Sequence, residues 1–137
     1  MAPIATQPND DDVTRFLESV ADDGRRSDAL AVSDLIGRVT GAAPRMWGSA
    51  IVGFGEGSYT NTSGTHDWFV VGFSPRQRAT VLYGVLDDEP DLADLLSSLG
   101  RHSTGKGCLY LPKLDAIDAG VLEQVVRRGW EHGAPHT

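Results

Sequence analysis

Between Arg45 and Leu86 the sequence alternates with a period of two, and its interruptions are very short: Gly55-Glu56, Thr62-Ser63-Gly64 and Ser74-Pro75. Links of this length join antiparallel neighbours, because a parallel pair needs a crossover of about a dozen residues. The pattern predicts strands over Ala50–Phe54, Gly57–Thr60, Asp67–Phe73 and Ala79–Leu86, with a fifth at Gly107–Leu111 after an intervening helix. Eight of the ten aromatic residues lie between Trp47 and Tyr110, which makes this sheet the structural centre.

Helical periodicity flanks the sheet. Val13, Phe16, Leu17 and Val20 form a stripe that predicts a first helix over Asp10–Asp22, with Asp23-Gly24 as its break. A second is expected from a Ser27 cap to Val39, with Leu30, Ile36 and Val39 inward. A third should run from Pro90 to Leu99 with Gly100 as its cap, and a fourth from Asp118 past Trp130. The expected architecture is α+β: a two-layer sandwich of a mainly antiparallel five-stranded sheet with helices on one face. With 137 residues it should be a single domain over 10–132, between a polar tail at 1–9 and a frayed end at 133–137.

A net charge of −7 argues against nucleic acid, which is held mainly by Lys and Arg. The longest strongly apolar stretch, Trp68 to Phe73, is far short of the ~20 residues of a membrane helix. The first residues lack the basic and apolar regions of a secretory signal, and one cysteine excludes an internal disulfide. A cytoplasmic protein is expected, with no membrane partner.

Several motifs were weighed. Gly100 to Gly107 matches a phosphate-binding loop up to its last position, where Gly107 replaces the hydroxyl that would hold magnesium. Its expected setting, helix before and strand after, also reverses the one a nucleotide needs. Gly53, Gly55 and Gly57 suit close backbone approach better than a dinucleotide fingerprint. His132 and His136 have metal-pair spacing, but Gly133 and Pro135 between them prevent a regular helix. Cys108 reads as a buried, inert thiol and Ser74 as a turn residue. Asp11, Glu18 and Asp22 would share one outward face of the first helix, where a hard cation could bind weakly; a solvated acidic face is the simpler reading.

Two basic turns stand out in this acidic chain: Ser74-Pro75-Arg76-Gln77-Arg78 and Arg101-His102-Ser103-Thr104-Gly105-Lys106. Glycine, hydroxyls and an ammonium can make an anion-binding nest. The expected site joins Arg76, Lys106 and Thr104 to aromatic walls drawn from Trp47, Tyr59, Trp68 and Tyr83. Arg76 and Lys106 should converge on a pocket of ~300 Å³ or more that takes a small acidic ligand or a partner's carboxylate.

Met46-Trp47-Gly48, Gly53-Phe54-Gly55, Ser63-Gly64, Trp68, Gly72-Phe73-Ser74-Pro75-Arg76 and Thr104-Gly105-Lys106-Gly107-Cys108-Leu109-Tyr110 together resemble the YdhG-like family. This is a domain of unknown function, and the resemblance covers roughly residues 25–130. It implies a compact sandwich akin to the frataxin-like fold. One branch is described as an intracellular iron chaperone, so iron is the cofactor of the alternative reading, with Asp11, Glu18 and Asp22 as its acids. The leading expectation is a small binding module without a cofactor. The alternatives are an iron-binding carrier and an enzyme acting on a small anionic substrate, with Arg76 and Lys106 as electrostatic anchors; no catalytic base or nucleophile is identified.

Overall fold

A computed structural model describes residues 8–9, 12–62, 64–87, 89–105 and 107–133. The protein is α+β, with four α-helices and an antiparallel open sheet among the described residues. The strands are β1 (Pro8–Asn9), β2 (Pro44–Trp47), β3 (Ile51–Phe54), β4 (Gly57–Asn61), β5 (Gly64–Trp68), β6 (Val71–Pro75), β7 (Thr80–Tyr83), β8 (Ser103–Gly105) and β9 (Cys108–Leu111). The helices are α1 (Val13–Glu18), α2 (Asp23–Thr40), α3 (Pro90–Ser97) and α4 (Ala119–Gly133). The main sheet has seven strands in the order β1-β2-β3-β6-β7-β9-β8, and β4–β5 form a separate hairpin. The five-stranded expectation therefore counted too few strands, and it ran the hairpin into the sheet. No helix among the described residues is long and apolar enough to cross a membrane.

The bounds of α2 have local causes, and its stop at Gly41 is the one the sequence led us to expect. Asp22 Oδ1 accepts the Arg25 N–H at 2.8 Å and starts α2 there, so Ser27 is not the cap, Asp23-Gly24 lies inside α2 rather than breaking the chain, and the first helix ends early, at Glu18. Gly41, at φ 72°, ends α2 by donating its N–H to Gly37 O at 2.9 Å. The expected strand Asp67–Phe73 is interrupted at Phe69-Val70, where the chain leaves the hairpin and enters β6. Ser98, not Gly100, caps α3, and Thr104-Gly105 belong to a strand of their own rather than to a turn.

Register sorts the sheet's side chains cleanly. Val52 pairs with Phe73, Phe73 with Leu82 and Leu82 with Leu109, so these four share the face covered by α2 and α4. Ala29, Val32, Leu35 and Ile36 of α2, with Leu122, Val125 and Val126 of α4, close this core. Leu30, expected inward, is 41% exposed because it falls off that stripe. The opposite face carries Trp47, Ser74, Val81, Tyr83, Cys108 and Tyr110.

On that second face Gly53 and Gly72 are register partners. A Cβ on Gly53 would lie 2.5 Å from Trp47 Cδ1 and 2.7 Å from Phe69 Cβ; one on Gly72 would lie 2.7 Å from the Phe69 ring. The paired glycines thus leave a recess that the Phe69 ring occupies. Trp68 stacks on Phe69 at 4.4 Å, while Trp47 and Tyr83 meet its edge at 5.6 and 6.0 Å. Close backbone approach, the reading given to the Gly53 region, is what the recess requires.

Arg128 ties α4 to the start of α3. It donates to Asp91 Oδ1 and Oδ2 at 2.8 and 2.9 Å and to Asp87 Oδ2 at 3.1 Å, and His132 Nδ1 lies 3.0 Å from Asp87 Oδ2. Desolvation raises the Asp87 pKa, but hydrogen bonds from Glu89 N–H, His132 and Arg128 outweigh it and hold the carboxyl below its ordinary value. A depressed carboxyl stabilises the fold fully above its unfolded pKa of about 4, and that stability is lost as pH falls through the folded value. Urea unfolding should therefore show Arg128→Ala weaker than the parent by about 2 kcal/mol at pH 7. The gap between the parent and Asp87→Asn should narrow as pH falls below about 4. A gap unchanged at acid pH would remove Asp87 from this role.

Candidate functional site

The turn from β6 to β7 is closed by Arg76 N–H donating to Ala79 O at 2.9 Å, and Pro75 sets its entry. This places Arg76 and Arg78 at the rim of the helix-free face. Ser74 is fully buried; its hydroxyl donates to Ala50 O at 2.6 Å and accepts from Arg76 Nε at 3.1 Å. Arg76 Nη2 donates to Tyr83 Oη at 3.3 Å. The guanidinium is thus held along one side, and its Nη1–Nη2 end, the fork that takes a carboxylate in two bonds, carries the remaining donors.

A groove of about 290 Å³ opens beside it, lined by Arg76, Arg78, Ala79, Val81, Tyr83, Cys108 and Tyr110. No carboxylate lines it, and neither arginine makes an ion pair with a described residue, although the chain's net charge is −7. The neighbouring Cys108 raises the Tyr110 pKa above the ordinary phenol range, with burial and Tyr83 adding and Arg76 opposing. Tyr110 therefore stays a neutral hydroxyl at physiological pH.

Larger cavities exist elsewhere, but each mixes acidic and basic side chains. One of about 650 Å³ between α3 and α4 contains Arg128 with its partner Asp91. Another, of about 580 Å³ at the start of α2, holds Arg25, paired with Asp28 at 3.1 Å and donating to Pro112 O, with Asp22, Asp115, Lys113 and Arg78 also in its lining. Volume does not select the site; a basic lining over apolar walls, with no carboxylate among the described lining residues, does.

Of the expected site residues, the structure brings Arg76 and Tyr83 together. Trp47 and Trp68 lie on the same face but serve as packing behind the groove; Trp47 is only 2% exposed. Thr104 is corrected: it pairs with Leu109, so its side chain belongs to the helix-bearing face, away from Arg76. Lys106 lies outside the described residues, as does the Tyr59 side chain, although Tyr59 itself is in β4.

Cys108 is also corrected: it is half-buried and lines the groove, and it makes further interactions there, including with Tyr110. The alternation of Cys108-Leu109-Tyr110-Leu111 carried that signal, since only Leu109 and Leu111 are fully buried. Arg78 and Ser74 were legible only as parts of a basic turn.

The acidic alternative loses its geometry. Glu18 ends α1 and Asp22 caps α2, so the two do not share a helical face, and Asp11 lies outside the described residues. Among the described residues no group of three or more His, Cys, Asp or Glu converges.

Fold and site together define an antiparallel α+β protein with a small basic groove on the helix-free face of its sheet. No family model, curated protein or solved structure matches the chain.

Proposed function

We propose that this protein is a small cytoplasmic binding module whose groove holds an acidic ligand through Arg76 and Arg78. The observation that carries the reading is a cavity that, among the described residues, has no carboxylate in its lining and two arginines without ion-pair partners, one of them braced by Ser74 and Tyr83. A braced guanidinium loses less freedom on binding an oxyanion than a mobile one. Ala79 and Val81 offer an apolar floor, and Tyr83 and Tyr110 offer ring surface and hydroxyls. The residues that carry the YdhG-like resemblance support this reading, because Trp47, Gly53, Trp68, Gly72, Ser74, Arg76, Cys108 and Tyr110 build this one face. Membership of that family is part of the proposal.

Isothermal titration with benzoate, a ring-sized carboxylate, tests it. Saturable binding is expected in the high micromolar to millimolar range and at least about tenfold weaker in Arg76→Ala, the cost of one charged hydrogen-bonded contact. Equal binding by the parent and a folded Arg76→Ala/Arg78→Ala variant would mean that both arginines are merely solvated and would end the reading.

A further inference from the structure

Resting on that reading, we infer that the groove selects a 2-oxo carboxylic acid with a ring-sized apolar tail over the 2-amino acid of the same skeleton. What the lining can donate and accept sets this preference. Arg76 and Arg78 only donate. The Tyr83 oxygen already accepts from Arg76 Nη2 at 3.3 Å, which leaves its O–H to donate. Tyr110 is a neutral hydroxyl and Cys108 a weak thiol donor. Among the described residues no side-chain carboxylate, amide or imidazole lines the cavity.

An ammonium in this groove would sit beside two guanidinium groups with no anion to receive it. It would suffer repulsion and lose hydration without replacement. A carbonyl next to the carboxylate is the opposite case. The carboxylate takes the Nη1–Nη2 fork of Arg76, and the adjacent carbonyl oxygen is a further acceptor for Arg78 or a tyrosine hydroxyl. Donors left over after the carboxylate is bound are what discriminate, because a site built to hydrogen-bond a group rejects the analogue lacking it. The volume of about 290 Å³ accommodates one ring beside the charged head, against Ala79, Val81 and the tyrosine rings.

The test compares phenylpyruvate, phenylalanine and 3-phenylpropanoate by titration calorimetry at pH 7, on the full chain and on Arg76→Ala and Tyr83→Phe. Phenylpyruvate should bind at least about tenfold tighter than phenylalanine and several-fold tighter than 3-phenylpropanoate, and both substitutions should weaken it. Circular dichroism of the variants establishes that they fold, and Tyr83→Phe keeps the ring if Arg76→Ala does not. Phenylalanine or 3-phenylpropanoate binding as tightly as phenylpyruvate, with Arg76 still required, would overturn this selectivity while leaving the acid-binding reading intact. Failure of phenylpyruvate and benzoate alike to bind the parent would bring down both.

Discussion

Phe69→Ala is expected to destabilise the protein by about 3–5 kcal/mol, the usual cost of emptying a buried aromatic site. The residue is 3% exposed and lies outside the main core, so its loss would look mild from the helix-covered side alone. It is nevertheless the centre of a second packed cluster. Its ring fills the recess above Gly53 and Gly72, stacks on Trp68 at 4.4 Å and meets Trp47 and Tyr83 edge-on. Collapse around the vacancy is difficult, because the recess floor is backbone of a paired sheet and cannot move inward independently. Urea unfolding followed by tryptophan fluorescence should show a lower midpoint and altered native emission, since two indoles touch this ring. A loss under about 1 kcal/mol would mean that the helix-free face is not a packed core. Tyr83 would also lose one wall, so benzoate binding should weaken in whatever fraction remains folded.

Gly129→Ala is expected to cost about 2–3 kcal/mol, against the gain of about 1 kcal/mol that the same change brings in an exposed helix. The two effects oppose each other, and the packing decides. An alanine Cβ would stand 2.5 Å from Gly84 O and 2.9 Å from Val85 Cα, both backbone atoms that no rotamer change can move. Gly84 is itself held at φ 81°, with its own Cβ position 2.1 Å from Val70 O, so the segment cannot retreat. Relief requires α4 to lift from the end of β7, which would loosen Val125 and Val126 in the core. Thermal or urea unfolding of Gly129→Ala gives the sign directly. A stabilised variant would show that helix propensity outweighs this contact.

The sheet itself was legible in the chain because period-two alternation and short Gly- and Pro-containing links admit few topologies. The α+β class and the antiparallel sense of the pairing follow from local sequence; the exclusion of the β4–β5 hairpin from the main sheet does not. The Pro90 start of α3 was legible too, since a proline at a first helical position is a backbone property. Arg76 beside Tyr83 was within reach for the same reason: strands joined by a four-residue turn must lie side by side.

What the chain could not declare were facts about partners distant in sequence. Whether Thr104 faced Arg76 depended on register with β9, and a one-residue step reverses a strand's face. The second helix starts at Asp23, four residues before the expected Ser27 cap, because the Asp22 carboxylate accepts the Arg25 N–H. Phe69 read as one more apolar strand residue; only the paired glycines across β3 and β6 show that it fills a recess. The groove belongs to the same category. Arg76 and Arg78 come from the β6–β7 turn, and Tyr83, Cys108 and Tyr110 from β7 and β9, whose pairing spans a helix; the charge matters because no carboxylate among the described residues lines the groove. Local backbone chemistry chose the elements, and tertiary packing chose which faces and charges meet.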